Sequence, residues 1–151
     1  MNKNVPLTLV GEMTPRVVIF KSESHKLCEA FNVAEDQTIV KGMTVALDTD
    51  GNITPYTGAD GEVYLGIAVT DSIYPAYGPQ RNYPIEVTVM VEAYAVVNKV
   101  SSDAIAPGYV QPTGNVINNL YEEVAQATDE TKFISLDAAD EANQLIRVLI
   151  R

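Results

Sequence analysis

The chain has 151 residues, enough for one ordinary domain or two very small ones, and its 46% apolar content excludes a disordered tail. Ten basic against twenty acidic residues leave a net charge of −10, which repels phosphate backbones and anionic lipid and argues against direct nucleic-acid or membrane partners. The single cysteine, Cys28, rules out an internal disulfide and a Cys-rich metal cage.

Charge divides the chain unevenly. Residues 1–26 hold Lys3, Arg16, Lys21 and Lys26 against Glu12 and Glu23, a net of +2, while the remainder holds six bases and eighteen acids, a net of −12. An N-terminal arm over 1–26 and a single acidic domain over 27–151 are expected. The apolar run near the start is cut by Gly11 and Glu12, too short for a secretory signal, and no stretch approaches a membrane span. Synthesis in a reducing cytoplasm follows as the expectation.

In chain order, His25 to Phe31 has room for one helical turn before Val33 and Thr38-Ile39-Val40 turn the pattern toward strand. Thr44 to Leu47 reads as a strand, and Asp50-Gly51 after it as the tip of a two-residue hairpin, because glycine tolerates positive φ. Gly58 and Asp60-Gly61 mark the next reversal, before a strand over Tyr64 to Val69. Tyr74 to Pro84 carries three tyrosines and three prolines and reads as an ordered loop. From Ile85 to Val97 the odd positions are apolar throughout, which predicts a long strand that bends or breaks near Ala93.

Pro107-Gly108 and Pro112 to Gly114 punctuate the second half. Val116, Ile117, Leu120, Tyr121 and Val124 recur at helical spacing behind Asn115, which predicts a helix of two or three turns there. Ile146, Val148 and Ile150 alternate with Arg147 and Arg151 in a closing strand.

An internal repeat runs through these segments. Gly42 to Val45, Leu65 to Val69 and Ile85 to Val91 match Pro107 to Val110, Phe133 to Leu136 and Leu145 to Ile150 in order and character. The fold expected is mainly β: a small β-barrel or β-sandwich from two similar halves, with an extended N-terminal arm and at most short helices.

Catalytic chemistry is not expected. His25 and Cys28 would need a helical turn to meet, and no orienting partner accompanies them; a surface histidine and a buried small thiol is the plainer reading. Asp48, Asp50, Gly51 and Asn52 resemble a calcium loop, but glycine falls at its fourth place rather than its sixth. Asp137, Asp140 and Glu141 could hold a cation, although an acidic loop in so acidic a chain is ordinarily just solvated. The VKGMTVALDTDG stretch resembles the opening of biotinyl and lipoyl domains, yet its tip offers Asp50-Gly51 in place of a lysine. Walker, GxGxxG and HExxH motifs are missing. No cofactor and no metal are expected.

Lys41 to Leu47, Asp50 to Tyr56 and Leu65 to Val69 resemble the head decoration proteins of tailed bacteriophages, also called capsid cement or auxiliary capsid proteins. Ala104 to Val110 and Leu145 to Arg151 are similar to that pattern too, so the resemblance covers residues 38–151; a crAss-like phage of gut bacteria is one source consistent with it. It implies a non-enzymatic protein on the exterior of the virion, where it stabilises the shell by bridging neighbouring major capsid subunits. The major capsid protein would be its partner, with self-association as a trimer and contacts to other head proteins as further expectations. An arm that adds a strand to a capsid sheet would use Val5, Leu7, Leu9, Val17, Val18, Ile19 and Phe20, and the loop Tyr74, Tyr77, Arg81 and Tyr83 offers a second contact. Two alternatives stand beside it: a carbohydrate- or cell-surface-binding β-module, and a head-fibre base or other virion component.

Overall fold

The computed structural model describes residues 19–22, 27–72, 85–92 and 94–151, the first of these through their backbone. Eleven strands occur among them and no helix: β1 (Ile19–Ser22), β2 (Cys28–Asn32), β3 (Thr44–Leu47), β4 (Ile53–Pro55), β5 (Val63–Ala68) and β6 (Glu86–Val91) come first. β7 (Ala95–Ser101), β8 (Gly108–Ile117), β9 (Tyr121–Gln126), β10 (Phe133–Ser135) and β11 (Leu145–Ile150) complete the chain.

The strands fall into two sheets of one design. The first runs β2-β6-β5-β3-β4 and the second β7-β11-β10-β8-β9, with β1 added beside β7. Adding five to each strand number of the first sheet reproduces the second. The repeat seen in the sequence corresponds to three of these matched pairs, β3 with β8, β5 with β10 and β6 with β11. Parallel pairing of Val100 with Glu123 and Ser101 with Val124 joins β7 to β9 and closes the second sheet into a five-stranded barrel. In the first half a single parallel bridge, Val33 to Ile53, makes the corresponding contact.

Each half has its own core. Ile39, Val40, Met43, Val45, Ile53, Ala68, Val87 and Val89 pack in the first. Val97, Val100, Val110, Tyr121, Val124, Phe133, Ile146, Val148 and Ile150 centre the second, which Ile67 and Met90 of the first half join. Period-two alternation produces both: Val87 and Val89 on β6, and Ile146, Val148 and Ile150 on β11, turn inward while Arg147 turns out. Gly66 lets β5 lie close against β6, since a Cβ there would stand 2.2 Å from the Met90 carbonyl oxygen.

The long 85–97 strand divides as expected, at Glu92, whose φ of 47° breaks the extended backbone between β6 and β7. Four expectations are corrected. The helix over 116–124 is instead the β8–β9 hairpin, because Asn118 and Asn119 both take positive φ and form a tight turn in which the Leu120 N–H donates to the Ile117 carbonyl. The turn expected before Phe31 is strand from Cys28 onward, paired along its length with β6. Pro112 to Gly114 lies inside β8, where the register with β9 shifts in a bulge that tolerates a proline. The Asp50-Gly51 hairpin is longer than two residues: Asp48 pairs with Asn52, and Asp48 Oδ1 accepts from the N–H groups of Asp50 and Asn52.

Candidate functional site

The junction between the halves is polar at its centre. Parallel pairing of β7 with β9 sets Lys99 beside Glu122, and Lys99 Nζ donates to Glu122 Oε1 at 2.6 Å and to the Gly42 carbonyl. From the first half, the Thr44 N–H donates to Glu122 Oε2 at 3.0 Å, and the Thr44 hydroxyl lies within 3.0 Å of both carboxylate oxygens. Both charged residues are buried. Burial pushes the Lys99 amine below its ordinary value, against the attraction of Glu122; it pushes the Glu122 carboxyl up, against Lys99 and Thr44. The hydrogen bonds of this buried pair run from the second half to the first and so tie the two together.

Beside this junction lies an open groove of about 500 Å³, lined by Tyr56 and Gly58 from the first half and Gln111, Glu130, Thr131, Lys132 and Arg151 from the second. Gln111 Nε2 donates to the Thr57 carbonyl at 3.0 Å across the junction. Tyr56, Tyr64 and Phe133 form a ring cluster beneath, with the first pair edge to face at 5.2 Å. Lys132 covers Tyr64, and Arg151 lies over Tyr109 and pairs with Glu130 at 2.9 Å. Burial first, and then neighbouring charges led by Glu122, pushes the Tyr64 phenol well above its ordinary range, so it stays protonated. Such a surface can hold a ligand by hydrogen bonds and stacking.

Of the contact residues expected from sequence, Val5, Leu7, Leu9, Val17, Val18, Tyr74, Tyr77, Arg81 and Tyr83 lie outside the described residues, as does His25. Ile19 and Phe20 fall in β1, which pairs antiparallel with β7 of the same chain; Ile19 is matched with Val97, and Phe20 sits at a register shift. Cys28, expected to be buried, is exposed because β2 is the margin of its sheet. Asp137 of the acidic cluster is buried and bound by Arg147, whose Nε and Nη2 donate to its two oxygens at 3.0 and 2.8 Å. The Arg147 N–H donates to the same carboxylate, which ties Asp137 to the closing strand. Asp140 and Glu141 are exposed.

Sequence reasoning missed Lys99 and Glu122. The signal for Lys99 was present, since the odd series Ala95, Val97 runs on to it and places it on the inward face. No known protein family matches the chain, and no curated protein matches it.

Proposed function

We propose that this protein is a non-enzymatic structural component that binds the outer surface of an assembled phage capsid and bridges neighbouring major capsid subunits. The observation that carries the reading is β1. The leading segment ends in a strand that pairs through its main chain at a sheet margin, and main-chain pairing is how an extended arm is recognised by another sheet. The resemblance over residues 38–151, the acidic body and the two matched sheets, the second closed into a barrel, agree with a rigid module displayed on a particle surface.

A ligand that binds only the closed lattice stabilises it in proportion to the logarithm of its free concentration over its dissociation constant. Each contact is modest, and many copies act together over the shell. The net charge of −10 keeps decorated particles apart in solution. The residues ahead of β1 and the 74–84 loop are the contacts this reading assigns.

A second reading, a carbohydrate-binding module, draws on the groove, whose Tyr56, Gln111, Glu130, Lys132 and Arg151 suit a polar ligand. Mixing the purified protein with mature shells and with proshells, and counting bound copies per particle, tests the first reading. Saturable binding to mature shells is expected. Glycan-array binding without shell binding would establish the second reading instead.

A further inference from the structure

The halves match strand for strand, so a margin filled in one can be compared with the same margin in the other. Asn32 pairs with Glu86 and Val33 bridges Ile53, as Val100 pairs with Leu145 and Ser101 with Val124. On that match Leu27, Cys28 and Glu29 correspond to Ala95, Val96 and Val97. The latter three carry β1, whose Ser22, Lys21 and Ile19 pair with them antiparallel. The former three carry no such strand among the described residues, and all are exposed, Leu27 by 60%.

The orientation of this margin follows from the ladder. The Val33 N–H donates to the Ile85 carbonyl and the Leu27 carbonyl accepts from the Val91 N–H, so odd residues face β6. Main-chain groups of Cys28 and Ala30 therefore point outward, a row without a strand partner among the described residues and of the kind that captures strands.

We propose that this margin of β2 takes an antiparallel strand from a second copy of the chain, and that the strand is Val5–Val10. Leu7 and Leu9 alternate with Thr8 as a strand requires, and Pro6 suits only an outermost strand, whose far side needs no donor. The segment that carries it has a net charge of +2 and the body a net charge of −12, so arm and body attract where two bodies repel. Eight residues separate Val10 from β1, and extended they span about 30 Å. That is about twice the radius of gyration of about 15 Å for a chain of this length, so Val5–Val10 can reach a copy lying alongside. The inference concerns the free protein and does not rest on the capsid reading. On a shell, copies linked this way would leave Val17, Val18 and the 74–84 loop for the coat.

The single native cysteine sits on the proposed margin, which makes the test direct. Leu7→Cys, Thr8→Cys and Leu9→Cys, made singly in the full chain, are oxidised mildly and resolved by mass under non-reducing conditions. Light scattering of the unaltered chain over a concentration series accompanies them. Disulfide-linked dimers and longer ladders are expected in at least one variant, with a concentration-dependent mass for the native chain. Ala30→Pro removes one outward N–H while leaving the bonds to β6, and it should abolish both signals with the far-UV spectrum unchanged. A monomer at every concentration, an internally linked monomer, or an oligomer indifferent to Ala30→Pro would each overturn the proposal. Loss of shell binding alone would leave it standing.

Discussion

Lys99 on β7 and Glu122 on β9 stand side by side in the middle of the molecule, 2.6 Å apart, with side chains 1% and 0% exposed. Thr44 and Gly42 of the other half complete their hydrogen bonding, so this buried charge pair ties the barrel of the second half to the sheet of the first. Removing either partner strands the other in a medium that cannot solvate it.

Lys99→Met or Glu122→Gln alone should therefore cost about 3–5 kcal/mol of stability in chemical denaturation. The double variant should lose clearly less than the sum, because no unpaired charge remains. Strict additivity would show that the two residues are not coupled.

Tyr64 presents a buried hydroxyl with no hydrogen-bond partner among the described residues, and its phenol is raised above the ordinary value of 10.0. A group raised on folding stabilises the fold below its unfolded pKa, and that contribution is lost as pH climbs past it. Tyr64→Phe should thus be neutral or stabilising at pH 7, and its advantage should grow above pH ~10, where the native chain declines and the variant lacks that loss. Thermal melts at neutral and alkaline pH measure both effects; a destabilised variant at pH 7 would point to a partner for the hydroxyl.

Gly66 is confined by the main chain of β6 rather than by its own torsion angles. Gly66→Ala places a Cβ 2.2 Å from the Met90 carbonyl oxygen, and backbone must move to admit it. A loss of about 1–3 kcal/mol is expected, as for other overpacked cores. An unchanged denaturation midpoint would mean that β5 and β6 separate freely.

The β8–β9 turn depends on two residues at positive φ, 53° at Asn118 and 55° at Asn119. Asn119→Gly should be neutral or stabilising, whereas Asn119→Val should cost about 1–2 kcal/mol, the penalty of a branched side chain in the left-handed region. Equal melting temperatures for the two variants would contradict the turn.

Much of this architecture was legible because two-residue alternation is strong wherever one strand face is buried. Val87, Val89, Val97, Val148 and Ile150 all point inward as the pattern implies, and the repeat anticipated the matching order of the two sheets. The 116–124 hairpin misled because its apolar residues fall at helical spacing by coincidence; Asn118-Asn119, a turn dipeptide, was the stronger signal. Lys99 shows the other failure. Its parity places it inside, but no local rule supplies its partner, since Glu122 arrives through pairing of strands distant in sequence. Thr44 and Gly42 come from the other half altogether.

Occupancy of mature shells tests the central claim most directly, comparing the full chain with one that lacks residues 1–18 and retains β1. Saturable copies per particle for the full chain, and loss of attachment for the shortened one with its melting transition preserved, is the predicted result. Equal occupancy by both would contradict docking through the leading segment, and failure of the full chain to attach would contradict shell decoration itself.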